Sequence, residues 1–329
     1  MNRRIQNLSF LCACLIVFIH VPGVDVNGWK GMIWRFVRFG LAECAVPFFF
    51  TVSGFFLAKH FGETGWWRCS LRSRIRSLAI PYVVWCLMFF CIDMVLGLLA
   101  DMMYGQPFGT RVPLVFDPLA ILGLNPTRLP ALGAYWYVRT LLMLVLMSPV
   151  LKWLVCRLGA WSVVALGAFM VVCKHMELPF LLRDVFSDVG MLAPRAMLYF
   201  TIGLYLREHP LQVRRWYLPG ALIMAATVYC VCPRIVYMEI GVPLMLASMW
   251  VAVPDCSWPK GLTANAFCIY TLHPFVLRMP YELALPKWFM QNPASPYVVW
   301  VVVVAISLCL TLVMKRLLPR FSEMAFGAR

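Results

Sequence analysis

Charge is what this sequence is short of. Of its 329 residues only 13% are charged, and acidic groups are scarcest: 14 Asp plus Glu against 29 Lys plus Arg, a formal +15. A soluble domain usually carries about 25% charged residues, so this chain lacks the groups to cover itself with a hydrated surface. It also lacks a repeated Cys-x-x-Cys frame. Its 13 cysteines lie mostly within apolar segments, such as Cys86, Cys91 and Cys309, and read as buried membrane thiols with no metal site among them. No soluble basic domain is present, which excludes nucleic acid as the partner of the positive charge. No internal repeat is detectable, so an inverted-repeat transporter gains no support. No small-residue cleavage site follows the apolar stretch from Leu8 to Ile19, which therefore reads as a retained first helix.

What the chain has in abundance is apolar length. Hydrophobic residues make up 62% and the mean hydropathy is +0.80. The runs predict an all-α polytopic membrane helical bundle of about ten transmembrane helices, forming a single membrane-embedded domain over 1–329. The spans are expected near Ile5–Val21, Phe39–Ala58, Leu78–Ala100, Tyr135–Val155, Ala160–Cys173, Met191–Leu206, Tyr217–Cys232, Ile235–Val253, Ala264–Tyr281 and Tyr297–Leu317. With both termini cytoplasmic, 17 of the 29 basic residues fall on the cytoplasmic side and ten on the other. The cluster Arg68, Arg72, Arg74 and Arg76 is the strongest single orientation signal. The longest connection, 101–134, is rich in Pro and Gly and lies on the outer side. Connections of that length are usually functional or partly folded.

A few polar residues interrupt the apolar runs. His20 ends the first, in Cys14-Leu-Ile-Val-Phe-Ile-His20. An ionisable group at membrane depth is costly and normally faces a protein interior or a wet cavity. A neutral imidazole can take a hydroxyl proton as general base, while the structural alternative is a hydrogen-bonded interfacial histidine. Ser53-Gly54 sits in the aromatic second span, where small residues let helices approach closely. Arg74-Ile-Arg76 leads through Pro81 and Tyr82 to Trp85. Tyr135-Trp136-Tyr-Val-Arg139 opens the fourth span, and Ile269-Tyr270-Thr-Leu-His273-Pro274 lies in the ninth. Glu43 either orients His20 or serves helix packing, and Arg139 either meets charge at the site or snorkels to the interface.

In register, these segments resemble the integral-membrane acyltransferase family 3, whose members acylate envelope carbohydrates; the resemblance runs from about Arg4 to Leu318. It implies an acyl-CoA co-substrate, acetyl-CoA first among the candidates, and no permanently bound cofactor. It also implies a catalytic histidine in the first helix, matched by His20, and a carbohydrate acceptor on the outer side. The family usually has an arginine eleven positions before that histidine, and here Ser9 stands there. Eleven residues are about three turns, so Ser9 shares the face of His20 roughly 16 Å away but supplies no charge for donor phosphates. Arg4 lies roughly 160° around the helix from His20.

The resulting expectation is an O-acetyltransferase-like enzyme of the bacterial inner membrane, with lipid around it and polysaccharide-assembly proteins as candidate partners. His20 and Glu43 are its catalytic candidates. Arg74, Arg76 and Arg139 are candidates for holding the donor, and Ser53, Tyr82, Trp136 and His273 for lining the cavity. Two rivals stand beside it. One is a transporter or flippase of a lipid-linked sugar or small metabolite; the other is a catalytically degenerate family member in a polysaccharide assembly, resting on Ser9.

Overall fold

Interior prolines shape the helices of this chain. A proline removes the N–H that would bond the carbonyl four residues earlier, and its ring crowds that carbonyl. In the computed structural model, which describes residues 3–21, 28–104, 117–124, 133–176, 179–210, 217–232, 234–282, 289 and 292–327, three wide π-turns each precede such a proline. They are Val37–Leu41 before Pro47, Ile75–Ala79 before Pro81 and Tyr237–Gly241 before Pro243. Loosening the ladder there lets each helix continue past its proline.

Among the described residues all regular structure is helical. The order is α1 (Arg3–His20), α2 (Trp29–Phe36), which runs through the first π-turn and a 3₁₀ turn (Ala42–Cys44) into α3 (Ala45–Ala58), then α4 (Trp66–Arg74) continuing through the second π-turn into α5 (Ile80–Tyr104). There follow α6 (Pro118–Ile121), α7 (Trp136–Leu158), α8 (Trp161–His175), α9 (Phe180–Val185), α10 (Pro194–Glu208) and α11 (Tyr217–Val231). The rest are α12 (Arg234–Val236), α13 (Val242–Ala252), α14 (Lys260–Thr263), α15 (Ala266–Glu282), α16 (Ser295–Leu317) and α17 (Pro319–Phe326).

Each of the ten expected stretches is helical over most of its length. Among the described residues four helical stretches are long and apolar enough to cross a membrane: Trp29–Ala58, Trp66–Leu99, Gly133–Leu158 and Ser295–Leu317. Shorter apolar helices cover Trp161–His175, Tyr217–Val231, Tyr237–Ala252 and Ala266–Leu277. The first two of the four long stretches start well before the expected Phe39 and Leu78. Their first turns carry Lys30, Arg35, Arg68 and Arg72, and such charge reads as loop when hydropathy alone is followed. Most of the long connection at 101–134 lies outside the described residues; its described centre is α6, capped by Asp117, whose Oδ1 accepts from the Leu119 and Ala120 amides at 3.0 and 3.2 Å.

The chain divides into two compact units, Met1–Val52 with Pro210–Leu318, and Ser53–His209 with Pro319–Arg329. In the first, α1 is buried nearly all round. Ala13 and Val17 form one apolar cluster with Val21, with Ala266, Ile269, Val276 and Leu277 of α15, and with Val299 and Val303 of α16. A helix that is apolar on every face belongs inside. By contrast α16 keeps Val298, Val301, Val302, Ile306, Leu312 and Val313 exposed, as a lipid-facing helix does. Polar ties fix this group: Trp300 Nε1 donates to the Cys14 carbonyl at 2.7 Å, and Lys315 Nζ to Asn265 Oδ1 at 2.7 Å. Asn7, buried in α1, donates to the Cys256 carbonyl at 2.9 Å and straps the 253–259 connection to the helix.

In the second unit α3 and α10 cross at Gly54. A Cβ there would stand 2.1 Å from the Phe200 carbonyl oxygen, so only glycine fits. The C-terminal helix α17 docks on α5, with Trp85 Nε1 donating to the Ala325 carbonyl at 2.7 Å. Gly327 (φ +76°) then brings the chain against the Ser77 carbonyl, the one that Pro81 deprives of its helical donor.

Candidate functional site

The site is built where a proline and a histidine meet on α15. Pro274 has no N–H, so the Tyr270 carbonyl four residues back loses its helical partner. His273 fills the gap: its Nδ1 lies 2.7 Å from the Tyr270 oxygen. A carbonyl can only accept, so Nδ1 carries the hydrogen, and in the neutral ring Nε2 is then an acceptor. The residue is completely buried, and Nε2 has no hydrogen-bond partner among the described residues.

Against this ring lies His20, the last residue of α1. The imidazole centroids are 5.2 Å apart and their planes tilted by 32°. His20 is exposed, whereas the residues before it, Leu15 to Phe18, are buried. One histidine therefore opens outward while the other backs it from inside the helix cluster. Two residues expected separately at the site, from the first span and the ninth, are brought together.

A third group joins them. Arg38, in the first π-turn, donates from a guanidinium nitrogen to the Val21 carbonyl, next in the chain to His20, and is close enough to His20 to interact with it electrostatically. Its guanidinium also lies over the rings of Trp34 at 5.1 Å and Phe39 at 5.4 Å. Arg38 was not among the sequence candidates. Its signal was the Trp34-x-x-x-Arg38 spacing, which puts cation and ring on one helical face, but only once the helix is known to begin at Trp29.

The other candidates have different neighbours. Glu43, in the 3₁₀ turn, gives Oε1 to Arg234 at 2.7 Å, and Arg234 lies over Phe39 at 4.9 Å. Ser9 donates its hydroxyl to the Ile5 carbonyl of its own helix at 2.7 Å. Arg4 lies over the Trp250 ring at 5.5 Å. Within the second unit, Arg139 is buried and donates to the Gly123 carbonyl at 2.5 Å and the Val189 carbonyl at 2.7 Å. Beside it Thr140 donates to the Gly190 carbonyl at 2.9 Å, and the Tyr82 hydroxyl donates to the Leu122 carbonyl. Arg139 and Tyr82 thus hold the turns after α6 and α9 onto α7 and α5. Trp136 and Ser53 are half-buried. Arg68, Arg72 and Arg76 are exposed on α4 and the second π-turn, while Arg74 is half-buried and interacts electrostatically with Tyr137.

The arrangement offers one exposed imidazole for proton transfer, a buried imidazole behind it and a guanidinium beside it. Residues 2–315 match the family model described as an acyltransferase domain, that of acyltransferase family 3. The chain belongs to this family. The succinoglycan biosynthesis protein ExoH of Rhizobium meliloti (strain 1021) is 25% identical to this chain over 229 residues, 65% of this chain and 56% of that protein. The match thus spans little more than half the length of that curated relative. No solved structure matches this chain. The chain thus combines an acyltransferase domain with helices long and apolar enough to cross a membrane. Both units lie almost wholly within the matched residues.

Proposed function

We propose that this protein moves an acyl group, acetyl first among the candidates, from acyl-CoA to a hydroxyl of a cell-envelope or exported carbohydrate, with His20 as general base. The observation that carries the reading is the exposed imidazole of His20, held at the end of a buried helix in a chain of this family. The name of the succinoglycan biosynthesis relative supports a polysaccharide acceptor.

His20 takes the proton of the acceptor hydroxyl, and the alkoxide oxygen attacks the thioester carbonyl carbon. The C–S bond breaks, and the departing thiolate takes its proton from the His20 imidazolium. Negative charge gathers on the carbonyl oxygen in between, and Arg38 is the cation we assign to it. Both of Arg139's described donors go to backbone carbonyls, so we give that arginine, with Tyr82, the task of holding the loops. Glu43, through Arg234, steadies the 3₁₀ turn that follows Arg38. Arg68, Arg72, Arg74 and Arg76 meet the phosphates of the donor from the cytoplasm, with ten crossings, both termini inside and the bacterial inner membrane as the location.

Cells with and without the protein test this reading through the mass of their exported polysaccharide. The acyl increment is expected only with the protein, and its mass names the group. Polysaccharides of equal mass in both would contradict it.

One observation favours a second reading. Ser9 spends its hydroxyl on its own helix and offers a donor phosphate no charge, as in a family member that has lost donor binding and serves an assembly of polysaccharide proteins. Under that reading Ser9→Arg switches on acyl transfer in a protein that otherwise has none. Normal transfer by the unaltered protein removes it.

A further inference from the structure

The orphaned Nε2 of His273 has a use. We propose that His273 is the positioning residue of His20: a turn of the His20 ring places its inner N–H on the His273 Nε2 lone pair, which fixes the tautomer and leaves the outer nitrogen to act as the base. The proposal rests on the reading of His20 as base given above.

Three observations combine in it. Pro274 frees the Tyr270 carbonyl, and that carbonyl fixes the proton of His273 on Nδ1. Nε2 is thereby an acceptor, in a side chain with no exposure and with no hydrogen-bond partner for that atom among the described residues. A buried polar atom without a partner is costly unless some state of the molecule satisfies it. Beside it lies the tilted ring of His20, 5.2 Å away centre to centre and able to donate, but not hydrogen-bonded to Nε2 in the resting arrangement. Once His20 has taken the hydroxyl proton, its inner N–H carries part of the imidazolium charge, and a neutral acceptor behind it holds that state. A metal-bound or carboxylate-backed histidine is oriented by the same logic, with the second nitrogen deciding what the first can do.

Two substitutions separate the nitrogens of His273. In His273→Asn the amide reaches where Nδ1 was, so the Tyr270 carbonyl keeps a donor and the Nε2 position is empty. In His273→Gln the amide oxygen reaches the Nε2 position. Full-length protein in detergent is treated with diethyl pyrocarbonate, and carbethoxylation of His20 is followed by peptide mass spectrometry, alongside transfer of label from [acetyl-14C]CoA in membrane vesicles. Unaltered His273→Gln is expected within about threefold of the parent in both rates. His273→Asn is expected to slow both by tenfold or more, at equal folded protein by thermal melting. Should His273→Gln alone yield little folded protein, His273→Gln combined with Pro274→Ala returns a helical N–H to the Tyr270 carbonyl and takes its place. Equal behaviour of the Asn and Gln variants, whether both are like the parent or both impaired, overturns the positioning role. The modification rate is read without any acyl transfer, so it judges the pair by itself; His20→Ala that still transfers label defeats the base reading instead.

Discussion

The helices α7 and α15 meet the same difficulty and resolve it with different residues. In α7, Pro149 takes the helical donor from the Val145 carbonyl; in α15, Pro274 does so to the Tyr270 carbonyl. Each time the residue just before the proline supplies a side-chain donor. Ser148 Oγ reaches Val145 at 2.7 Å, and His273 Nδ1 reaches Tyr270 at 2.7 Å. At Val145 the Trp67 indole adds a second donor at 3.3 Å. Serine is used up by its task. Histidine has one nitrogen left over, and that nitrogen stands beside His20. A structural repair and a functional group thus differ by one unspent lone pair.

If that is the difference, changes around His20 register in acyl transfer and changes around Pro149 register in stability. Among the neighbours of His20, the largest effect is expected for Arg38→Gln. Removing a cation from a developing oxyanion costs roughly 100-fold in rate, so label transfer from [acetyl-14C]CoA should fall by about that factor at normal membrane abundance. Transfer at the parental rate removes Arg38 from the chemistry. Next comes Gly54→Ala, in the second unit, where the new methyl meets the Phe200 carbonyl. Overpacking of this kind costs about 1–3 kcal/mol, to be read as a lowered melting temperature and less folded protein. An unchanged melting temperature would show that α3 and α10 part without cost.

The smallest effect is expected at the α7 turn. Ser148→Ala leaves the Val145 carbonyl its indole partner and should cost only about 1 kcal/mol, with transfer per folded molecule unchanged. In a Pro149→Ala background, where the backbone donor is back, the same substitution should cost measurably less. A loss of transfer from Ser148→Ala, with stability intact, would break the contrast between the two turns.

Much of the scaffold was legible because bilayer-length apolar runs leave few alternatives to helix. The ends were less so. Trp29–Phe36 and Trp66–Arg74 are amphipathic and basic, and hydropathy assigns such turns to loops although they extend the helices that follow. The short α17 was missed for the same reason: its apolar side, with Ala325 and Phe326, is buried only because Trp85 and Gly327 dock it. His20 and His273 were each visible as a histidine in an apolar run. Their pairing was not, because 253 positions separate them and no local period connects α1 to α15. The Tyr270-x-x-His273-Pro274 spacing did encode one half of the site, a freed carbonyl and a donor one residue before the proline. Arg139 shows the opposite case. A buried arginine in a span reads as a site cation, yet its reach to Gly123 and Val189 depends on two loops that hydropathy says nothing about.

The central claim is that His20 removes the acceptor proton. Membrane vesicles carrying the parent or His20→Ala at equal abundance, given [acetyl-14C]CoA on the cytoplasmic side, test it most directly through label in the carbohydrate fraction. The account predicts incorporation by the parent and a loss of 100-fold or more in His20→Ala, in line with the contribution of a general base. Incorporation by His20→Ala at the parental rate would contradict it.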